Sequence, residues 1–196
     1  MENEEFKQQI DFLLKMDELK KVYRRTYILK SDRHENDAEH SWHLSMMALI
    51  LHKYANGGVG ILHVLKMVII HDIVEIDVGD TFCYDEEAVA KQADREKQAS
   101  KRLFGLLPES QATEFRDLWE EFEEGSSPEA KFARSLDRLM PMLHNYYSGG
   151  KAWKEHGIKK DQVLNRNRVI ADGSEKLWSF ALSLINKAVD KGYLAN

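Results

Sequence analysis

Apolar residues along this chain recur every three or four positions almost throughout, the period of helices that pack by one face. Phe6, Ile10, Leu13, Leu14 and Met16 predict a first amphipathic helix continuing to Leu19, followed by an irregular basic stretch over residues 20–33. A second helix starts at Asp37, a good N-cap residue, runs through Trp42, Leu44, Met47, Leu49, Ile50 and Tyr54, and stops at Asn56-Gly57-Gly58. The third spans residues 61–76 and yields to the turn signal Val78-Gly79-Asp80. Residues 86–106 read as a long, charged, solvent-facing helix. Pro108 starts another, with Phe115, Leu118, Trp119 and Phe122 inward and an acidic, solvated tail over residues 120–124. Ser127 and Pro128 are the cap and first position of a helix over residues 129–147, whose inner face carries Phe132, Leu136, Leu139 and Leu143. Gly149-Gly150 ends it, and a last helix covers residues 172–191. No segment alternates convincingly as a strand does. The expectation is an all-α chain forming one domain over residues 1–196.

Polar residues interrupt this pattern where a helix should be driest. His71-Asp72 closes the apolar run 61–70, and Asp137 lies between Leu136 and Leu139. Burying an ionised carboxylate costs several kcal/mol or more unless it is paired or bound to a cation. A His-Asp hydrogen bond is one ordinary solution for the first pair, and ion pairs with Arg134 or Arg138 are one for Asp137. A shared metal ion is the other. If the second and third helices pack antiparallel, the short connection over residues 56–60 brings His40 to His71-Asp72. Glu75, four residues after His71 and three after Asp72, then falls on the same helical face as both.

Composition narrows the choice. The chain has 196 residues, 43% apolar, enough for one domain with a real core. Its net charge of −5 argues against binding polymeric nucleic acid, which needs a basic surface, but leaves room for a small anionic substrate held by local arginines. No stretch approaches the roughly 18 apolar residues of a membrane span. The acidic start Met1-Glu-Asn-Glu-Glu5 is unlike an export signal, and the lone Cys83 suits a reducing cytoplasm, so a cytoplasmic location is expected. Cys83 reads as a semi-buried residue rather than a nucleophile, because nearby carboxylates raise a thiol pKa.

The order His40…His71-Asp72…Asp137 is the His…His-Asp…Asp pattern of the HD-domain phosphohydrolase superfamily, which this chain resembles. Glu39-His40-Ser41, Ile70-His71-Asp72, Glu75, Val78-Gly79-Asp80-Thr81 and Ala133-Arg-Ser-Leu-Asp137 stand in the order and approximate spacing of one branch. That branch holds the bacterial 5′-deoxynucleotidases and related eukaryotic HD-domain-containing hydrolases. The likeness covers about residues 10–185. It implies an HD-type helical bundle, with His40, His71, Asp72 and Asp137 as ligands of one divalent metal ion (Mn, Co, Fe, Zn or Mg; no thiolate selects zinc). It further implies that Glu75 positions and deprotonates the attacking water, that Asp80 assists near the scissile ester, and that Arg25 grips the phosphate. Thr26 stands where those nucleotidases carry a tryptophan, with Tyr27 next in line as an aromatic wall. Arg24, Lys30, Arg33 and His34 give the same loop a positive cast, mostly solvated. His52, His63, His144 and His156 read as surface or core histidines rather than ligands of a second metal.

The expected activity is metal-dependent hydrolysis of nucleoside 5′-monophosphates, 2′-deoxy forms above all, by a homodimer. Two alternatives remain open: the same site acting on another phosphoester or a nucleoside triphosphate, and a metal-dependent nucleotide-binding module without turnover.

Overall fold

The computed structural model describes residues 2–81, 84 and 86–196; Cys83 lies outside the described residues. Helices dominate, as their apolar spacing predicts. They are α1 (Glu2–Lys15), α2 (Asp37–Leu51), α3 (Ile61–Ile70), α4 (Glu75–Val78), α5 (Glu86–Phe104), α6 (Glu109–Glu124), α7 (Pro128–Tyr147), α8 (Lys151–Glu155), α9 (Lys160–Asn167), α10 (Ile170–Gly173) and α11 (Glu175–Asp190). Among the described residues, none of them is long and apolar enough to cross a membrane.

The long helix α7 is the axis of the core. Phe132, Leu136, Leu139 and Met140 on it are almost fully buried, and complete burial of such side chains stabilises by about 1.5–3 kcal/mol each. That apolar anchoring is large enough to offset the cost of holding Asp137 within the same helix. Ser127 caps α7 by accepting a hydrogen bond from the Ala130 amide, and Pro128 opens it. Pro141, inside α7, has no N–H for the Asp137 carbonyl four residues back, so the helical ladder is interrupted at Asp137. On the other flank α10 lies hard against α7. A Cβ on Gly173 would stand 2.2 Å from the Lys131 carbonyl oxygen, so only glycine permits that approach.

Four expectations change. First, the stretch over residues 20–33 contains β1 (Tyr23–Tyr27), which pairs antiparallel with β2 (His34–Asn36) in the register Tyr23↔Asn36 and Tyr27↔His34, with a bulge between. The three residues His34-Glu35-Asn36 carry no strand propensity; pairing, not sequence, makes them a strand. Second, α2 is capped by Asn36 rather than Asp37. Asn36 Oδ1 accepts from the Glu39 amide at 2.9 Å and Glu39 Oε2 accepts from the Asn36 amide, a reciprocal capping box that frees Asp37 to turn inward. Third, the helix expected over 61–76 breaks. Residues 71–74 form a tight turn with the Ile73 and Glu75 amides bonded three residues back, and Gly79 at φ +75° ends α4. Fourth, α1 turns Phe6, Leu13 and Leu14 outward and docks through Phe12, whose ring meets Phe115 edge-on at 5.8 Å.

Candidate metal centre

Helix ends and one strand bring the polar exceptions together. α2 and α3 pack antiparallel, placing the His40 and His71 rings 5.6 Å apart, centroid to centroid. His40 Nε2 lies 3.1 Å from Asp137 Oδ1 and 3.9 Å from Asp72 Oδ2. His71 Nε2 lies 3.1 Å from Asp72 Oδ1 and 3.8 Å from Asp137 Oδ1. One donor atom from each of His40, His71 and Asp72 falls within 4.8 Å of the other two. The four residues singled out in the sequence therefore converge from α2, the turn after α3, and α7. Arg138 Nε comes within 4.0 Å of Asp137 Oδ2, whereas Arg134 turns away to the carbonyls of Phe122 and Glu123.

The imidazole tautomers bear on whether a cation fits. His71 Nδ1 is 3.1 Å from the Val68 carbonyl, which can only accept, so Nδ1 carries the proton. The neutral ring then presents a bare Nε2 lone pair to carboxylate oxygens, and that nitrogen has no hydrogen-bond partner among the described residues. Asp37 Oδ2 and Glu75 Oε2 are likewise buried without a donor. Lone pairs converging on a dry volume repel one another unless a cation sits among them. The donor set fits a divalent metal ion with mixed imidazole and carboxylate ligation.

Charge balance points the same way. Asp37, Asp72, Glu75, Asp80 and Asp137 crowd around one deeply held guanidinium, that of Arg24. Arg24 projects inward from β1, with Nη1 2.7 Å from Asp72 Oδ2 and 3.2 Å from Asp37 Oδ1, and Nη2 3.9 Å from Asp137 Oδ1. This corrects the expectation of a solvated Arg24: strand alternation turns Arg24 in and leaves Arg25 exposed. Burial, then the Asp72 charge, push the Asp37 carboxyl up to about 7. Burial, Asp72 and Asp37 raise Glu75 well above the ordinary carboxylate range, and burial raises Asp80. Asp137 goes the other way: burial opposes its ionisation, but the neighbouring His40 and His71 rings and the Arg138 charge hold it well below that range. For His40, burial and Arg24 favour the neutral ring, yet Asp137, Glu35 and Asp72 prevail and raise it to about 9.

The cluster forms one side of a cavity of about 350 Å³, within the range of small-molecule sites. Arg24, Arg25, Thr26, Asp80 and Thr81 line it near the carboxylates. Glu96, which burial and Glu123 push up to about 7, and Glu123 itself line another wall, so neither α5 nor the acidic tail of α6 is wholly a solvated face. Elsewhere the lining is Ala152, Trp153 and Ile158 with Asn145, Arg166 and Asn167. Tyr27 is not part of this lining. Its hydroxyl donates to Glu155 at 3.0 Å and Lys151 lies 3.9 Å over its ring, so an aromatic wall comes from Trp153 of α8 instead. The Thr26 hydroxyl is turned to Glu35, 3.4 Å away. Arg33 forks onto Glu39, and His34 stacks on Tyr27. His63 pairs with Glu121 at 2.7 Å, His52 with the Leu49 carbonyl, and His144 is buried beside Glu35. Arg24 and Asp37 are functional candidates that the sequence pattern does not single out. The Asn36-x-x-Glu39 box is the signal that could have released Asp37 from its capping role.

A profile described as the HD domain matches residues 16–178. Among curated relatives, 5′-deoxynucleotidase HDDC2 of Danio rerio is 33% identical over 140 residues, covering 70% of this chain and 68% of that protein. Its Homo sapiens counterpart is 31% identical over 135 residues, covering 68% and 65%. The chain thus spans about two thirds of the length of these relatives. A predicted metal-dependent phosphohydrolase from Magnetospirillum magnetotacticum, known from its crystal structure, is 44% identical. That alignment covers 98% of this chain and 100% of that one, with a TM-score of 0.93.

Proposed function

The chain belongs to the HD domain family, and on that premise we propose that it is a metal-dependent phosphomonoesterase releasing phosphate from nucleoside 5′-monophosphates, 2′-deoxy forms preferred. The observation that carries this reading is the pair of imidazole Nε2 atoms facing carboxylates on one side of a cavity whose lining also holds Arg24, Arg25 and Trp153. The 5′-deoxynucleotidase names of the curated relatives support the substrate class. His40, His71, Asp72 and Asp137 would hold one divalent ion, with Mn, Co, Fe, Zn and Mg all compatible with the donors. When bound, such an ion supplies Lewis acidity, offsetting charge on phosphoryl oxygens and making water more acidic.

The chain's own groups do the rest. Glu75, buried at the start of α4 with Oε2 unpaired, takes the proton of the water that attacks phosphorus. The P–O5′ bond breaks on the opposite side, and Asp80, held towards its protonated form by burial, gives a proton to the departing alkoxide. Arg24 and Arg25 face the equatorial oxygens, whose charge spreads in the loose transition state. Trp153 and Ile158 offer the nucleoside an apolar surface.

Phosphate release from a panel of deoxy- and ribonucleoside 5′-monophosphates, first with chelator and then with each divalent ion, tests this reading. Release should require metal and be faster for the deoxy forms. If no monophosphate is cleaved with any ion, the reading is wrong. Replacing the exposed arginine (Arg25→Ala) should lower kcat/KM roughly ten- to hundredfold, the scale of a lost charge-assisted hydrogen bond, without altering metal content. Unchanged kinetics would leave phosphate binding to Arg24 alone.

A further inference from the structure

Glu35, in the middle of β2, is 2% exposed and is not part of the cavity lining. It lies on the Nδ1 side of the His40 ring, while the carboxylates of the candidate metal centre lie on the Nε2 side. Three groups converge on a single oxygen of it. Thr26 Oγ1 donates to Oε2 at 3.4 Å, His40 Nδ1 is 3.5 Å away and His144 Nδ1 is 3.7 Å away. Both imidazole Nδ1 atoms are buried and neither makes a hydrogen bond elsewhere among the described residues, so the Glu35 carboxylate is the acceptor within their reach.

A neutral imidazole carries one proton, and which nitrogen holds it is decided by the neighbour of the other. A proton on His40 Nε2 would disable that nitrogen as a ligand and leave a bare Nδ1 facing a buried carboxylate. A proton on Nδ1 satisfies Glu35 and leaves the Nε2 lone pair on the cavity side. We propose that Glu35 is the positioning residue of His40, fixing its tautomer and ring orientation from behind, and is itself held by Thr26 and His144. This rests on His40 being a metal ligand. Thr26 thereby acquires a role of its own. At the position where the resembled nucleotidases carry a tryptophan, the Thr26 hydroxyl serves the ligand set instead.

One competitor uses the same residues. Donor atoms of Glu35, His43 and His144 lie within 4.8 Å of one another, as a second cation site would require. The Thr26 hydroxyl already donates to the same Glu35 oxygen that both Nδ1 atoms face, and the orienting role accounts for that shared oxygen without a second ion.

Cobalt(II) is the probe, because its visible absorption reports ligand geometry independently of turnover. Metal-free wild type, Glu35→Gln and Glu35→Leu are titrated with Co²⁺, and folding is checked by circular dichroism. Glutamine keeps the shape and one neutral acceptor, so Co²⁺ binding should weaken about tenfold; leucine keeps bulk only and should weaken it about a hundredfold, the span expected for loss of such a partner. Both should shift the absorption band, and the glutamine variant carries the test if the leucine variant fails to fold. Wild-type affinity and spectrum in the glutamine variant overturn the proposal, because a space-filling role predicts that result. Two Co²⁺ per wild-type chain falling to one in Glu35→Gln overturns it in favour of the cation site with His43 and His144. A wild type that takes up no Co²⁺ removes the metal reading itself, and this role with it.

Discussion

Asp72→Asn is expected to strip the protein of bound metal and with it essentially all phosphate release. Asparagine has the same shape, so packing in the turn after α3 survives, but the carboxylate that turns one oxygen to each imidazole loses its charge. Removing that charge has opposing effects on the metal-free fold. It weakens the 2.7 Å contact with Arg24, and it relieves Asp37 and Glu75, whose carboxyls the Asp72 charge pushes up. Attraction and repulsion therefore partly cancel, and the melting temperature without metal should move little. The difference lies in the response to metal. A ligand that binds only the native state stabilises it by mass action, so wild type should melt higher as metal is added and Asp72→Asn should not. Metal content after dialysis, melting curves across a metal titration and phosphate release together decide the matter. Full metal stoichiometry in the variant would falsify the assignment of Asp72 as a ligand.

The second large effect separates metal retention from chemistry. Glu75→Gln should keep its metal and its substrate affinity while turnover falls about 10²–10⁴-fold, the usual contribution of a positioned proton acceptor. Burial, Asp72 and Asp37 raise the Glu75 pKa, so stability is lost as pH climbs from the ordinary carboxylate range to that raised value, and the loss persists above it. Glutamine removes the cost, so the metal-free variant should be at least as stable as wild type at neutral and alkaline pH. Single-turnover kinetics at saturating metal is the measurement, and near-normal turnover would remove Glu75 from the proton-transfer role.

The helical architecture was legible because apolar spacing is a local signal: Ser127, Pro128, Phe132, Leu136 and Leu139 define α7 from sequence alone. The polar interruptions at His71-Asp72 and Asp137 were legible for the converse reason, since a costly residue in an apolar pattern demands a partner. What stayed hidden depends on pairing across the chain. Arg24 turns inward because β1 is a strand, and β1 is a strand because His34-Glu35-Asn36 lies beside it, which no property of Tyr23-Arg-Arg-Thr-Tyr27 announces. Asp37 was hidden by its plausibility as a cap, a role that Asn36 and Glu39 fill reciprocally. Phe12 illustrates the limit of periodicity: Phe6, Ile10, Leu13 and Leu14 make a convincing stripe, yet the ring that anchors α1 is on the other face.

The wide spacing of the converging side chains has a consequence in time as well as in space. His40 and Asp137 touch across 97 residues, and Arg24 reaches Asp72 across 48. Helices form from neighbours within fractions of a microsecond to microseconds, whereas contacts this remote must wait for long loops to close. The acids and imidazoles of the cluster are therefore solvated separately until α2, α3 and α7 dock. Their mutual repulsion is met only on that docking, when the packed apolar faces are in place to hold them.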